Sequence, residues 1–83
     1  MRLPPEVTAA GTPDGTVLLD LTSGRYWQLN STGSAVLQGL LDGSDPEVVA
    51  AELAARHGID EAVAQKDVAA VVDHLRSAGL VTP

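Results

Sequence analysis

The chain has 83 residues, enough for one domain over residues 1–83, with a core of Val, Leu and Ala and little room for an enclosed cavity, so a surface groove is the expected kind of site. Eleven acidic against five basic residues give a formal charge of −6 and a pI near 4.5, the wrong balance for nucleic-acid phosphates or anionic membranes. There is no cysteine, which removes disulfides, thiolate metal sites and thiol nucleophiles.

EVTAA (6–10) reads as a short strand, and GTPDG (11–15) as a turn carried by Pro13, Asp14 and Gly15. TVLLDL (16–21) is a second strand, TSG (22–24) a turn and RYWQL (25–29) a third strand. With Gly24 in the left-handed position of a three-residue loop, Leu21 faces Arg25, Leu19 faces Trp27 and Val17 faces Leu29. This register gathers Val17, Leu19, Leu21, Trp27 and Leu29 on one face and leaves Leu18, Asp20, Tyr26 and Gln28 on the other. An even-length loop would mix the sets and exchange the faces.

Three helices follow. The first begins at NSTG, with Asn30 or Ser31 as N-cap, and runs to Gly43 with Val36, Leu37, Leu40 and Leu41 at helical spacing. The second begins at SDPE, with Pro46 in its first turn and a capping box between Ser44 and Glu47, and runs to Gly58. The third runs from Asp60 to Gly79. Strands joined by short turns and followed by helices predict an α+β domain with a three-stranded antiparallel sheet.

On the third helix Ala64, Val68, Val71, Val72 and Leu75 form a core stripe. One flank carries Gln65, Ala69 and Arg76. The other carries Val63, Asp67, Ala70, His74 and Ala78, an apolar arc with two polar residues set into it, which suits the wall of a groove or the cover of a loop. RYWQL holds Tyr26 and Trp27, the only aromatic side chains of the chain, and is the last strand before the helices. One of its sides is expected to lack a partner, so a guest peptide can add to it as a further strand.

The stretches VLLDLTSGRYWQLNSTGSAVLQGLLDG, DPEVVAAELAARHGID and DVAAVVDHLRSAGLV resemble the PqqD-like family. More narrowly, they resemble the small leader-binding proteins of lasso-peptide biosynthesis, the RiPP recognition elements. The likeness runs from about Val7 to Val81 and lies in LLDL…GRYWQLN, the helix opening with TG, and DV…L…GL at the end. The resemblance implies a winged-helix-like fold and the binding of the leader segment of a ribosomally made precursor peptide. The leader would lie as an added strand on the third strand, beside the third helix. In the lasso branch it resembles a Tyr-x-x-Pro pattern whose Tyr enters an apolar pocket. The implied partners are the precursor, a leader peptidase of the cysteine-protease type and a macrolactam synthetase, with no chemistry done by the recognition protein.

Carried onto this sequence, the receiving edge is Arg25, Tyr26, Trp27, Gln28, Leu29 and Asn30. The opposite wall is Asp67, Ala70, Val71 and His74, with Lys66 at the rim. Asp67 is expected to accept a hydrogen bond from the leader or to pair with a basic leader residue, and Arg25 to bind a leader carboxylate. Which aromatic lines the pocket stays open.

An enzyme is the first rival. His57, at a helix C-terminus, and His74 are the only histidines, and neither sits in a metal or nucleophile pattern; no phosphate loop is present, so no catalytic residue, metal or cofactor is expected. A DNA-binding winged helix is the second. From Asp60 to Gly79 its recognition helix would carry four acidic against two basic residues, a formal −2 and the wrong sign. A small oligomerisation module is the third. MRLPPEV has no apolar segment of the signal-peptide kind and no run approaches the roughly 20 residues of a membrane span, so a cytoplasmic location is expected.

Overall fold

The computed structural model describes residues 1–82. Three strands, β1 (Val7–Thr12), β2 (Gly15–Asp20) and β3 (Tyr26–Asn30), form an antiparallel sheet in the order β1-β2-β3. The helices α1 (Ser31–Leu41), α2 (Pro46–His57) and α3 (Glu61–Ser77) follow, the α+β order expected. β1 runs two residues beyond EVTAA, because Pro13 and Asp14 alone turn the chain and Thr12 pairs with Gly15. Gly15 has φ 156°, and a Cβ there would stand 1.9 Å from the Leu29 carbonyl oxygen, so the start of β2 accepts only glycine beside β3.

The β2–β3 register differs from the expected one. Leu18 pairs with Trp27, Leu19 with Tyr26 and Val17 with Gln28. Gly24 does take the left-handed conformation, at φ 73°, but the loop is a residue longer. Its ends are fastened by Asp20: the Asp20 N–H donates to the Arg25 carbonyl (2.9 Å) and the Asp20 carbonyl accepts from Gly24 (2.8 Å). The Asp20 carboxylate accepts from the Thr22 N–H (2.9 Å) and more weakly from Ser23 (3.4 Å). An aspartate that caps its own turn holds Leu21 in the loop, 60% exposed, rather than in the strand. The faces of β2 therefore exchange. Leu18, with no exposure at all, is the inward residue, and Val17 and Leu19 lie on the outer face with Tyr26 and Gln28.

Asn30 is the N-cap of α1, its Oδ1 accepting from the Gly33 N–H at 2.8 Å. Asp45, not Ser44, precedes α2, so the expected capping box is not made; the Ser44 N–H donates instead to the Gly39 carbonyl. Pro46 opens that helix and Gly58 closes it, as expected. Asp60 caps α3 through a 2.8 Å bond from the Ala62 N–H.

Two apolar clusters hold these parts together. Val36, Leu40, Val49, Ala50, Leu53, Ala64, Val68 and Val72 bind the three helices to one another. Val7, Leu18, Leu37, Leu75, Leu80 and Val81 join the sheet to α1, to α3 and to the segment after it. Val71 and Met1 pack against both clusters. Past α3 the chain turns back, buries Leu80 and Val81, and exchanges two hydrogen bonds between Arg2 and Thr82 (3.0 and 2.9 Å). No helix among the described residues is long and apolar enough to cross a membrane.

Candidate functional site

β3 is an edge strand whose second side has no strand beside it among the described residues. Alternation along an antiparallel pair decides which of its backbone groups are free. The Asp20 N–H points at β3, toward Arg25, and the Leu21 N–H points the other way, toward Glu6. Leu18 and Thr16 therefore point at β3 too, and exchange bonds with Trp27 and Leu29. The N–H and C=O of Tyr26 and of Gln28 are left facing outward. The strand carries no Lys, no Pro and no bulge that would discourage a guest.

Side chains divide by face. Trp27 and Leu29 point inward and pack, half-buried, against the cluster built on Leu18, Leu37 and Leu75. The Arg25 guanidinium lies 5.4 Å from the centre of the Trp27 ring, a cation–π contact at the mouth of this face. Tyr26 is 70% exposed on the outer face beside its partner Leu19, and Gln28 is exposed there as well. The Asn30 side chain is committed to capping α1.

Across from β3 stands α3. Ala64, Val68, Val72 and Leu75 are buried as the wheel requires, while Val71, at the margin of the stripe, is half-buried. Lys66, Asp67, Ala70 and His74 are exposed along the flank, and Val63, 51% exposed, extends it by a turn. No Cα of β3 lies within 8 Å of a Cα of α3, yet Trp27, Leu29 and Val71 pack against the same cluster. The two elements thus share an apolar floor without closing on each other. The arrangement is an open trough: one wall is a row of unpaired backbone groups, the other a helix flank of mixed chemistry.

Of the expected edge and wall residues, Trp27, Leu29 and Val71 meet on the shared cluster, Tyr26 and Gln28 turn their side chains to the outer face, and Lys66, Asp67, Ala70 and His74 lie exposed on α3. Leu18 is the floor residue that the sequence reading misplaced; the Asp20-Leu21-Thr22-Ser23 turn is the signal that locates it. Two partly open hollows lie elsewhere. One, between α1 and α2, is lined by Val36, Gly39, Val49 and Arg56 among others. The other, of about 210 Å³, is lined by Pro46, Glu47, Gln65, Val68 and Ala69 on the opposite flank of α3. Neither is lined by a residue of β3. Among the described residues no group of three or more His, Asp or Glu is placed to hold a metal ion.

Residues 15–81 match the family model described as coenzyme PQQ synthesis protein D (PqqD), and the chain belongs to that family. Among solved structures it is similar to a lasso peptide synthetase B1 complexed with the leader peptide. The two share 44% identity and a TM-score of 0.92, over 99% of this chain and 96% of the other. It is also similar to TbiB1 in complex with the TbiA(beta) leader peptide, at 28% identity and a TM-score of 0.86, over 96% and 93% of the two chains. Among curated proteins none matches. The chain is thus a PqqD-like recognition element whose two structural neighbours are leader-peptide complexes, one of them that of a lasso peptide synthetase B1.

Proposed function

We propose that this protein binds the leader segment of a lasso-type precursor peptide by strand addition to β3, beside α3, and presents it to a cysteine-protease-type leader peptidase and a macrolactam synthetase. It does no chemistry itself. The open edge of β3 over an apolar floor is the observation that carries the reading, and two neighbours whose structures hold leader peptides support it. The guest makes its backbone bonds to Tyr26 and Gln28. Its inward side chains meet Trp27, Leu29, Ala70 and Val71, and its outward ones pass Tyr26 and Gln28. Arg25 and Asn30 mark the two ends of the edge. Arg25 binds a leader carboxylate; Asp67 accepts a hydrogen bond or pairs with a leader cation, with Lys66 and His74 at the rim.

Trp27 is the single tryptophan and lies at this edge, so its fluorescence reports occupancy directly. Titration with the synthetic leader of the partner precursor is expected to saturate at one peptide per chain. Changing the leader Tyr to Ala is expected to weaken it. Saturation by duplex DNA, with no response to the peptide, would instead favour a winged-helix regulator and sink this reading.

A further inference from the structure

We infer that β1 is a second pairing edge, and that its occupant is β1 of another copy of this chain, joined about a two-fold axis through Ala9. β1, like β3, has no outer neighbour among the described residues. The Glu6 carbonyl accepts from Leu21 on the β2 side, so Val7, Ala9 and Gly11 direct their backbone groups outward. The Val7 N–H is already used by the Pro4 carbonyl at 3.0 Å. What remains is the Val7 C=O and both groups of Ala9 and Gly11.

That set pairs with its own copy in all but the Gly11 carbonyl. With Ala9 opposite Ala9 of the second copy, the two alanines exchange a pair of bonds, and each Gly11 N–H meets the free Val7 carbonyl across the axis. The Val7 N–H that would answer each Gly11 carbonyl is held by Pro4, so those two carbonyls stay with solvent and the seam rests on the Ala9 pair and the two Gly11-to-Val7 bonds. Thr8 faces Ala10, so only small side chains meet. Glu6 faces Thr12, which keeps the two glutamates at opposite ends in spite of the net charge of −6.

Space is available as well. Ala9 and Gly11 are exposed although they share the inward face with Val7 and Leu18, and no Cα of β1 lies within 8 Å of a Cα of any helix. A second sheet continues from this edge without meeting a helix. At β3, by contrast, α3 flanks the edge, and a whole second copy would bring its own α3 against it. The two edges therefore take different guests: β3 a bare strand, β1 another molecule. In the resulting six-stranded sheet both β3 edges lie outermost and remain free.

Sedimentation equilibrium of the full chain tests this between roughly 10 μM and 1 mM, the range in which small edge-only interfaces associate. Wild type is expected to pass from monomer to dimer. Ala9→Pro deletes an outward N–H without breaking an internal bond, and Ala9→Lys sets two like charges face to face at the axis. Each is expected to weaken the dimer at least 10-fold and to leave leader affinity unchanged. Should Ala9→Pro lose its fold by circular dichroism, Ala9→Lys decides. A wild type that stays monomeric, a dimer that survives Ala9→Lys, or one abolished by Gln28→Pro would overturn the inference.

Discussion

Val71 sits at the margin between core and trough, half-buried and packed against both apolar clusters. A charge placed there cannot stay hydrated once a peptide covers it. Val71→Glu is expected to weaken leader binding by 10-fold or more, about 1.4 kcal/mol, with the far-UV circular dichroism of wild type. Tyr26 faces the other way. As a cross-strand neighbour of an added strand it contributes one side-chain pair, so Tyr26→Ala is expected to cost only about 0.2–1 kcal/mol of binding, read from the Trp27 emission titration. A larger loss at Tyr26 than at Val71 would mean that the guest's main anchor lies on the outer face of the sheet. Gly15 acts on stability instead. Its missing Cβ is what lets β2 lie against the Leu29 carbonyl, and Gly15→Ala is expected to lower unfolding free energy by about 2–3 kcal/mol in urea titration.

Among the elements, β3 is the one whose backbone is divided between the fold and an open edge. Trp27 and Leu29 spend their polar groups on β2, and Tyr26 and Gln28 keep theirs for the outside. Gln28→Pro separates the two roles. It removes an outward N–H, leaves the β2–β3 ladder intact, and is expected to abolish saturable leader binding while thermal unfolding shifts little. The element order was legible from local signals: Asn30 before a helical run, Pro46 and Gly58 bracketing α2, Asp60 before α3. So was the trough, through the apolar arc on α3 and the aromatic pair on the last strand. The register was not. Alternation in TVLLDL is ambiguous, since Val17, Leu18 and Leu19 are all apolar, and the decision falls to the loop. There the Asp20 carboxylate captures the Thr22 N–H, lengthens the turn by one residue and sends Leu18 inward. The position of Asp45 rather than Ser44 at the N-cap of α2 was hidden for a similar reason: both residue types suit a cap, and here the Asp45 backbone carbonyl opens the helix with no side-chain bond while the Ser44 N–H is held by Gly39.

At the scale of the whole molecule, stability and occupancy are linked. A domain this small has little stability in reserve, and a guest that binds only the folded state adds to it. With leader at 100 times its dissociation constant, the gain is about 2.7 kcal/mol, which in a domain of this size raises the unfolding temperature by roughly 10 °C or more. Differential scanning fluorimetry with and without peptide checks this, and duplex DNA is expected to produce no such rise given the net charge of −6. The clasp between Arg2 and Thr82 has a topological consequence. Because the first and last described residues lie hand in hand, a short linker closing them into a ring spans almost no distance, and the polypeptide can be reopened at the exposed bend of Pro13 and Asp14. Such a rearranged molecule would start at β2 and finish with β1, and its new first strand would still begin beside Asn30, at the end of β3.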